Sequence, residues 1–251
     1  DNGYTIINWE HPIRAESRFF GEEGENAYTD LPAPAPRHMV QSMIMRSSQI
    51  GFNFLWISEP VKKLAPEMMK WYSLTAGKHP QESPDAICWL RQDQTFHGGE
   101  EHTWKNMERF LYQRDRESAK TRPAQKIERK VFETDPEGKH FDWAARQTDV
   151  QNGQDGMLFL IDDEFNKGLE PPFSIKVTYV DINKGKWNVS IPTTEGTYNT
   201  EIVHGNGDRK PKTATFIIHK KPEQNSNPPH HFRINHISGG DVTIKFVRIV
   251  K

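Results

Sequence analysis

The chain has 251 residues, with 33 Lys plus Arg against 34 Asp plus Glu. That length suits one large domain or two modest ones, and the balanced charge gives no net field to attract nucleic acid or an anionic membrane. Hydrophobic residues make up only 34%, yet seven Trp, fourteen Phe and six Tyr exclude a disordered chain. The single cysteine, Cys88, excludes an internal disulfide and a zinc site built from several Cys. Between Ile87 and Trp89 it reads as a buried, inert thiol. No apolar run is long enough to cross a bilayer. The sequence opens at Asp1 with neither Met nor a signal-peptide pattern, as a processed chain or a piece of a longer one would.

In chain order, the first cluster with chemical potential is Arg18-Phe19-Phe20-Gly21-Glu22-Glu23-Gly24-Glu25-Asn26. Apolar residues lead into paired carboxylates flanked by glycines. Read locally, this is a solvated acidic turn, or the tip of a strand in a β/α barrel, where catalytic carboxylates stand. Over 37–50, Met39, Val40, Met43, Ile44 and Ser47 recur at helical spacing and Gly51 follows as a cap. Residues 52–57 read as a buried strand. Pro66 suits the first turn of a helix through Met68, Met69 and Tyr72 that stops at Gly77. Ser83-Pro84-Asp85 carries a cap and a first-turn proline, which predicts another short helix. Helix, strand and helix in succession is α/β grammar.

Residues 91–130 are charged and mixed. Trp104, Met107 and Leu111 fit helical spacing, whereas Phe110 and Tyr112 fit a strand equally well. Beyond them the period changes to two. Residues 157–161 form a short apolar run. Over 174–182, Ile175, Val177 and Tyr179 share one face while Lys176 and Thr178 take the other. The turn signal Asn183-Lys184-Gly185-Lys186 then leads into Trp187, Val189 and Ile191, so the two segments read as a hairpin. Further strands are marked by Ala214, Phe216 and Ile218, by Phe232 and Ile234, and by Val242, Ile244 and Phe246 after Ser238-Gly239-Gly240-Asp241. Several short alternating strands with turns and no helix between them predict an antiparallel β-sandwich.

Other features weigh less. Asp162, Asp163 and Asp181 could offer oxygens to a structural Ca²⁺, although strand-end carboxylates are the plainer reading. The eleven histidines include the pair His230-His231 but no His-x-x-x-His or His-Glu-x-x-His spacing, so no resident metal is expected. Asn188-Val189-Ser190 fits the glycosylation sequon inside a predicted strand. There is no phosphate loop, dinucleotide fingerprint or Gly-x-Ser-x-Gly elbow. Trp187, Trp143 and Tyr198 are candidate rings for stacking on a sugar, with Trp187 sharing the alternation of Val189 and Ile191 as a core residue would.

The order Glu22-Glu23-Gly24, loop, helix and strand 52–57 resembles the end of a retaining glycoside hydrolase barrel of the agarase/porphyranase-like kind. Such barrels carry a Glu-x-Gly nucleophile at the tip of their seventh strand. The segments Asn106-Met107-Glu108-Arg109-Phe110-Leu111-Tyr112-Gln113-Arg114-Asp115, Ala145-Arg146-Gln147-Thr148-Asp149, Ile161-Asp162-Asp163-Glu164-Phe165 and Val177-Thr178-Tyr179-Val180-Asp181 are similar to the joining segment and appended sandwich of those enzymes. So are Thr213-Ala214-Thr215-Phe216 and His231-Phe232-Arg233-Ile234, the last with His231 where the family usually has Asp. The resemblance implies an α+β chain. Residues 1–82 would be the last strands and helices of a (β/α)8 barrel, 83–130 a connecting segment, and 131–251 a jelly-roll-like antiparallel sandwich. It implies Glu22 as the nucleophile, with Glu23, Asn26 and Trp56 lining the sugar subsite. The acid/base Glu of such families lies on the fourth strand, upstream of anything in this sequence, so the rest of the barrel would be a second polypeptide or a part of the protein outside this sequence. The expected partner is a polysaccharide or oligosaccharide, and the expected location is secreted, periplasmic or cell-surface. The alternative is a non-catalytic carbohydrate-binding protein, and a structural or surface-assembly role is a third possibility.

Overall fold

In a computed structural model the described residues are 14–16, 54–56, 73–74, 78–90, 106–124 and 145–251. The chain divides into two units, the second built from Pro80–Asp93, His102–Ile127 and Trp143–Lys251. In the first unit, β1 (Arg14–Glu16) and β2 (Phe54–Trp56) pair in parallel, with Arg14 opposite Phe54 and Glu16 opposite Trp56. Parallel pairing requires a crossover between the strands. The helix expected over 37–50 lies outside the described residues. Ser73 and Leu74 are helical, within the helix expected to run from Pro66 to Gly77. No barrel is found among the described residues, which hold only these two strands of the expected α/β segment.

The second unit begins with a 3-10 turn at Pro80–Glu82 and continues as strands. The early ones are β3 (Asp85–Leu90), β4 (Asn106–Arg109), β5 (Leu111–Arg114), β6 (Arg122–Pro123), β7 (Arg146–Gln147) and β8 (Gly156–Ile161). After a short helix, Asp163–Lys167, come β9 (Phe173–Val180), β10 (Lys186–Thr193), β11 (Gly196–Asn199), β12 (Val203–His204) and β13 (Pro211–Ile218). The chain closes with β14 (Asn225–Ser226), β15 (Pro229–His230), β16 (Phe232–Ser238) and β17 (Thr243–Val250). Sheet one has the order β13-β9-β17-β3-β4, with β7 on β17 and β6 on β7. Sheet two has the order β11-β10-β16-β8-β5, with β12 on β10. The strand pairs within both sheets are antiparallel.

The inner faces supply one core. Ile175, Val177, Val247, Ile249, Ala86 and Cys88 from sheet one meet Met157, Phe159, Ile161, Val189, Ile191, Phe232 and Ile234 from sheet two. Trp187 is 1% exposed and sits edge-on to Tyr179 at 5.2 Å and to Phe216 at 6.0 Å. It is a core residue, closed to any sugar.

The structure corrects two local expectations. Ser83-Pro84-Asp85 does not start a helix: Ser83 Oγ donates to the Asp85 carbonyl at 2.8 Å and β3 begins at Asp85. Every residue from Asp85 to Leu90 is buried, and β3 gains five paired positions against β17. That burial on both faces outweighs a local cap and a first-turn proline. Nor do β9 and β10 form a hairpin. β9 pairs with β13 and β17 in sheet one, whereas β10 pairs with β11, β12 and β16 in sheet two. The turn between them crosses the core, and the two alternating faces meet across it rather than side by side. Lys184 takes a left-handed conformation there (φ 54), and a Cβ on Gly185 would stand 2.6 Å from the Gly240 carbonyl oxygen. Backbone packs on backbone where the crossing needs room.

Strands β3 to β6, in the segment read above as a connection, pair within the two sheets. β4 and β5 are nearly one strand that switches sheets at Phe110 (φ 59), whose buried ring stacks on Phe165 at 6.0 Å.

Candidate functional site

Of the residues assigned to a hydrolase site, Glu22, Glu23 and Asn26 lie outside the described residues. Trp56 is the last residue of β2, opposite Glu16. Trp143 lies outside them too, and Tyr198 packs partly against the core.

Several buried ionisable groups of the sandwich serve the fold. Glu108 on β4 faces inward, where burial raises its carboxyl above the ordinary range against the opposing pull of Arg114. Arg114 Nη1 donates to both Glu108 oxygens, at 2.8 and 3.0 Å, and the Gln113 backbone N–H donates to Oε1 at 2.9 Å. Burial, with Glu108 beside it, pushes the Cys88 thiol well up, so it is the inert core thiol its neighbours imply. Asp162 caps the short helix, accepting from the N–H groups of Glu164 and Phe165 at 3.0 and 3.1 Å.

Asp181, a further candidate calcium ligand, faces a cation of the chain's own. The Lys212 ammonium lies 2.9 Å from Asp181 Oδ2, 3.0 Å from Asp208 Oδ2 and 2.8 Å from Asn206 Oδ1. Burial pushes the Asp181 carboxyl up, but Lys212 and the N–H groups of Asn206 and Gly207 outweigh it and hold it below its ordinary range. Among the described residues no group of three or more His, Cys, Asp or Glu is placed to hold a metal.

His231 stands at the start of β16. Its Nδ1 accepts the Ile161 N–H at 3.0 Å, so the neutral ring carries its proton on Nε2. Burial lowers its pKa to about 4.

The outer face of sheet two is of a different kind. The residues that alternate with its core positions fall into rows across the strands. One row runs Arg114, Leu158, Arg233, Ser190 and Asn199, one residue from each of the five strands. On one side lie Tyr112 and Leu160. On the other lie Gly156, Asn235 and Asn188. Asn235 Nδ2 donates to Asn188 Oδ1 at 3.1 Å, which places the sequon asparagine in a buried amide pair rather than an exposed acceptor position.

Arg233 lies over Gly156: a Cβ there would stand 2.7 Å from Nη2 and 2.8 Å from Cζ. Its Nη2 donates to Asp155, while its Nε is buried without an acceptor. Arg114 lies with its Cζ 5.2 Å from the centroid of the half-buried Tyr112 ring, and only its Nη1 is taken up, by Glu108 and the Gln113 carbonyl. The face thus offers the Tyr112 ring with Leu160, two guanidinium groups with spare donors, the Asn199 and Asn235 amides and the Ser190 hydroxyl, while Leu158 and Asn188 are buried.

No family model matches the sequence, and no curated protein matches it. Among solved structures, the family 32 CBM of NanJ from C. perfringens, in complex with galactose, is 14% identical. It covers 42% of this chain and 76% of its own length, with a TM-score of 0.28. The apo CBM1 of BiXyn10A is also 14% identical, covering 43% and 74%, with a TM-score of 0.26.

Sequence reasoning missed this face. The alternations Phe232-Arg233-Ile234-Asn235 and Trp187-Asn188-Val189-Ser190 put polar residues outward, but which strands adjoin is set by tertiary pairing.

Proposed function

We propose that the sandwich unit binds a saccharide on the outer face of sheet two. The observation that carries this reading is the composition of that face. A half-buried tyrosine ring and a leucine lie beside rows of amide, hydroxyl and guanidinium groups with unfilled donors. A sugar presents one apolar face and many hydroxyls, and such a surface meets both. Charge gives no alternative: the chain is nearly neutral, so nucleic acid has no field to follow. On this reading the protein works where polymeric glycans are met, outside the cell or at its surface.

The test is retention on a panel of immobilised polysaccharides, comparing the wild type with Tyr112→Ala and with Thr215→Ala, an exposed position on sheet one. The wild type and Thr215→Ala are retained on at least one polymer, and Tyr112→Ala is not. Retention of none, or equal retention of all three proteins, rejects the reading.

A second reading is a retaining glycoside hydrolase with Glu22 as nucleophile and Glu23, Asn26 and Trp56 at the subsite. It is favoured by the parallel pairing of β1 with β2, as barrel strands pair. The acid/base carboxylate would come from the rest of the barrel, upstream in a longer chain or on a second polypeptide. In that assembly Glu22→Gln abolishes hydrolysis and leaves retention unchanged. An assembly that hydrolyses no glycan, or a variant that hydrolyses normally, removes this reading.

A further inference from the structure

Resting on the saccharide reading, we infer that the ligand is an uncharged glycan chain lying across the five strands of sheet two. The first step is the charge inventory of the face. Its rows contain two cations, Arg114 and Arg233, and each already meets a carboxylate. Glu108 takes Arg114 at 2.8 Å and Asp155 takes Arg233. Guanidinium and carboxylate therefore cancel pair by pair, so these rows have no residual positive field to draw a sulfate or uronate; Lys186 lies on the same face only beyond them, at the exposed start of β10. Asp155 has a side chain 56% exposed, so an anionic substituent beside Arg233 would also meet a like charge.

What the pairs leave over are donors. Arg233 keeps Nε and Nη1, and Arg114 keeps Nε and Nη2, with no acceptor among the described residues. The Arg114 and Arg233 side chains stay 37% and 27% exposed, so their solvent-facing N–H groups can give hydrogen bonds to a hydroxyl or ring oxygen arriving there. The partly exposed Asn235 amide, held by the buried Asn188, and the Ser190 hydroxyl extend the array with groups that both give and accept hydrogen bonds.

The second step is extent. The row from Arg114 to Asn199 crosses five strands, and at about 4.8 Å per strand spacing it is roughly 19 Å long. A single sugar ring would fill a fraction of it, so the face suits the interior of a chain.

The experiment is frontal retention on two immobilised polymers, a neutral galactan and its sulfated counterpart, at about 0.1 M and about 1 M NaCl, where the screening length falls from ~10 to ~3 Å. The neutral polymer is expected to retain the wild type equally at both salt concentrations. The sulfated one should retain it no better, and free galactose should compete weakly. Arg233→Gln should lose about tenfold in affinity, the effect of about 1.4 kcal/mol. Asp155→Asn should leave Arg233 unbalanced and shift preference toward the sulfated polymer in a salt-sensitive way.

Stronger, salt-sensitive retention of the wild type on the sulfated polymer overturns the inference while leaving saccharide binding standing. Full competition by free galactose overturns the chain-binding part. Retention on no polymer, across the wider panel as well, removes the saccharide reading itself.

Discussion

His231 gives the most quantitative test of the packing. Its ring is 3% exposed, and its Nδ1 holds the Ile161 N–H at the junction of β8 and β16. Burial lowers its pKa from 6.5 to about 4, with Asp163 pulling it up and His230 pushing it down. The unfolded chain therefore takes up a proton near 6.5, while the folded chain does so only near 4. Between those values the unfolded state binds more protons, so stability falls as pH falls through that window. At about 1.4 kcal/mol per tenfold difference in proton affinity, the loss is worth about 3 kcal/mol. His231→Asn retains an acceptor for Ile161 and cannot titrate, so it isolates this contribution from the other acids and bases. Urea unfolding followed by tryptophan fluorescence at pH 7 and near pH 4 measures it. The stability difference between wild type and variant should move by about 3 kcal/mol in the variant's favour on going to the lower pH. An unchanged difference would refute both the assigned acceptor role and the burial argument.

Two further predictions concern the fold. Trp187→Ala removes the ring between Tyr179 and Phe216 and should cost about 3–5 kcal/mol in chemical unfolding; a loss below about 1 kcal/mol would place the ring outside the core. Lys212→Met leaves the oxygens of Asp181, Asp208 and Asn206 facing one another without their ammonium, so its melting temperature at neutral pH should drop. Asp181 has a carboxyl pKa below its ordinary value, so the contribution is present above the unfolded value and fades as pH falls through the folded one. A gap between wild type and Lys212→Met that is the same in acid and at neutrality would contradict that pairing.

Much of the sandwich was legible because one physical rule wrote it. Alternation of Ile175, Val177 and Tyr179 with Lys176 and Thr178 specifies a half-buried strand whatever its partner. Partners were not legible. A turn signal after β9 predicts a hairpin from local chemistry, yet the chain crosses the core there because each strand's best-matched neighbours are distant in sequence: β17 for β9 and β16 for β10. The same limit hid the face of sheet two. Tyr112 and Arg233 lie far apart along the chain and share a face only through β8 between them. At Ser83, the local cap pattern lost to burial of the whole Asp85–Leu90 strand.

Retention of the wild type and of Gly156→Val on neutral polysaccharide tests the central claim most directly. The added side chain would occupy the space that the Arg233 guanidinium fills, on the outer face and away from the core. The account predicts a folded variant that has lost most of its retention while the wild type binds. A folded Gly156→Val that is retained as well as the wild type would contradict it.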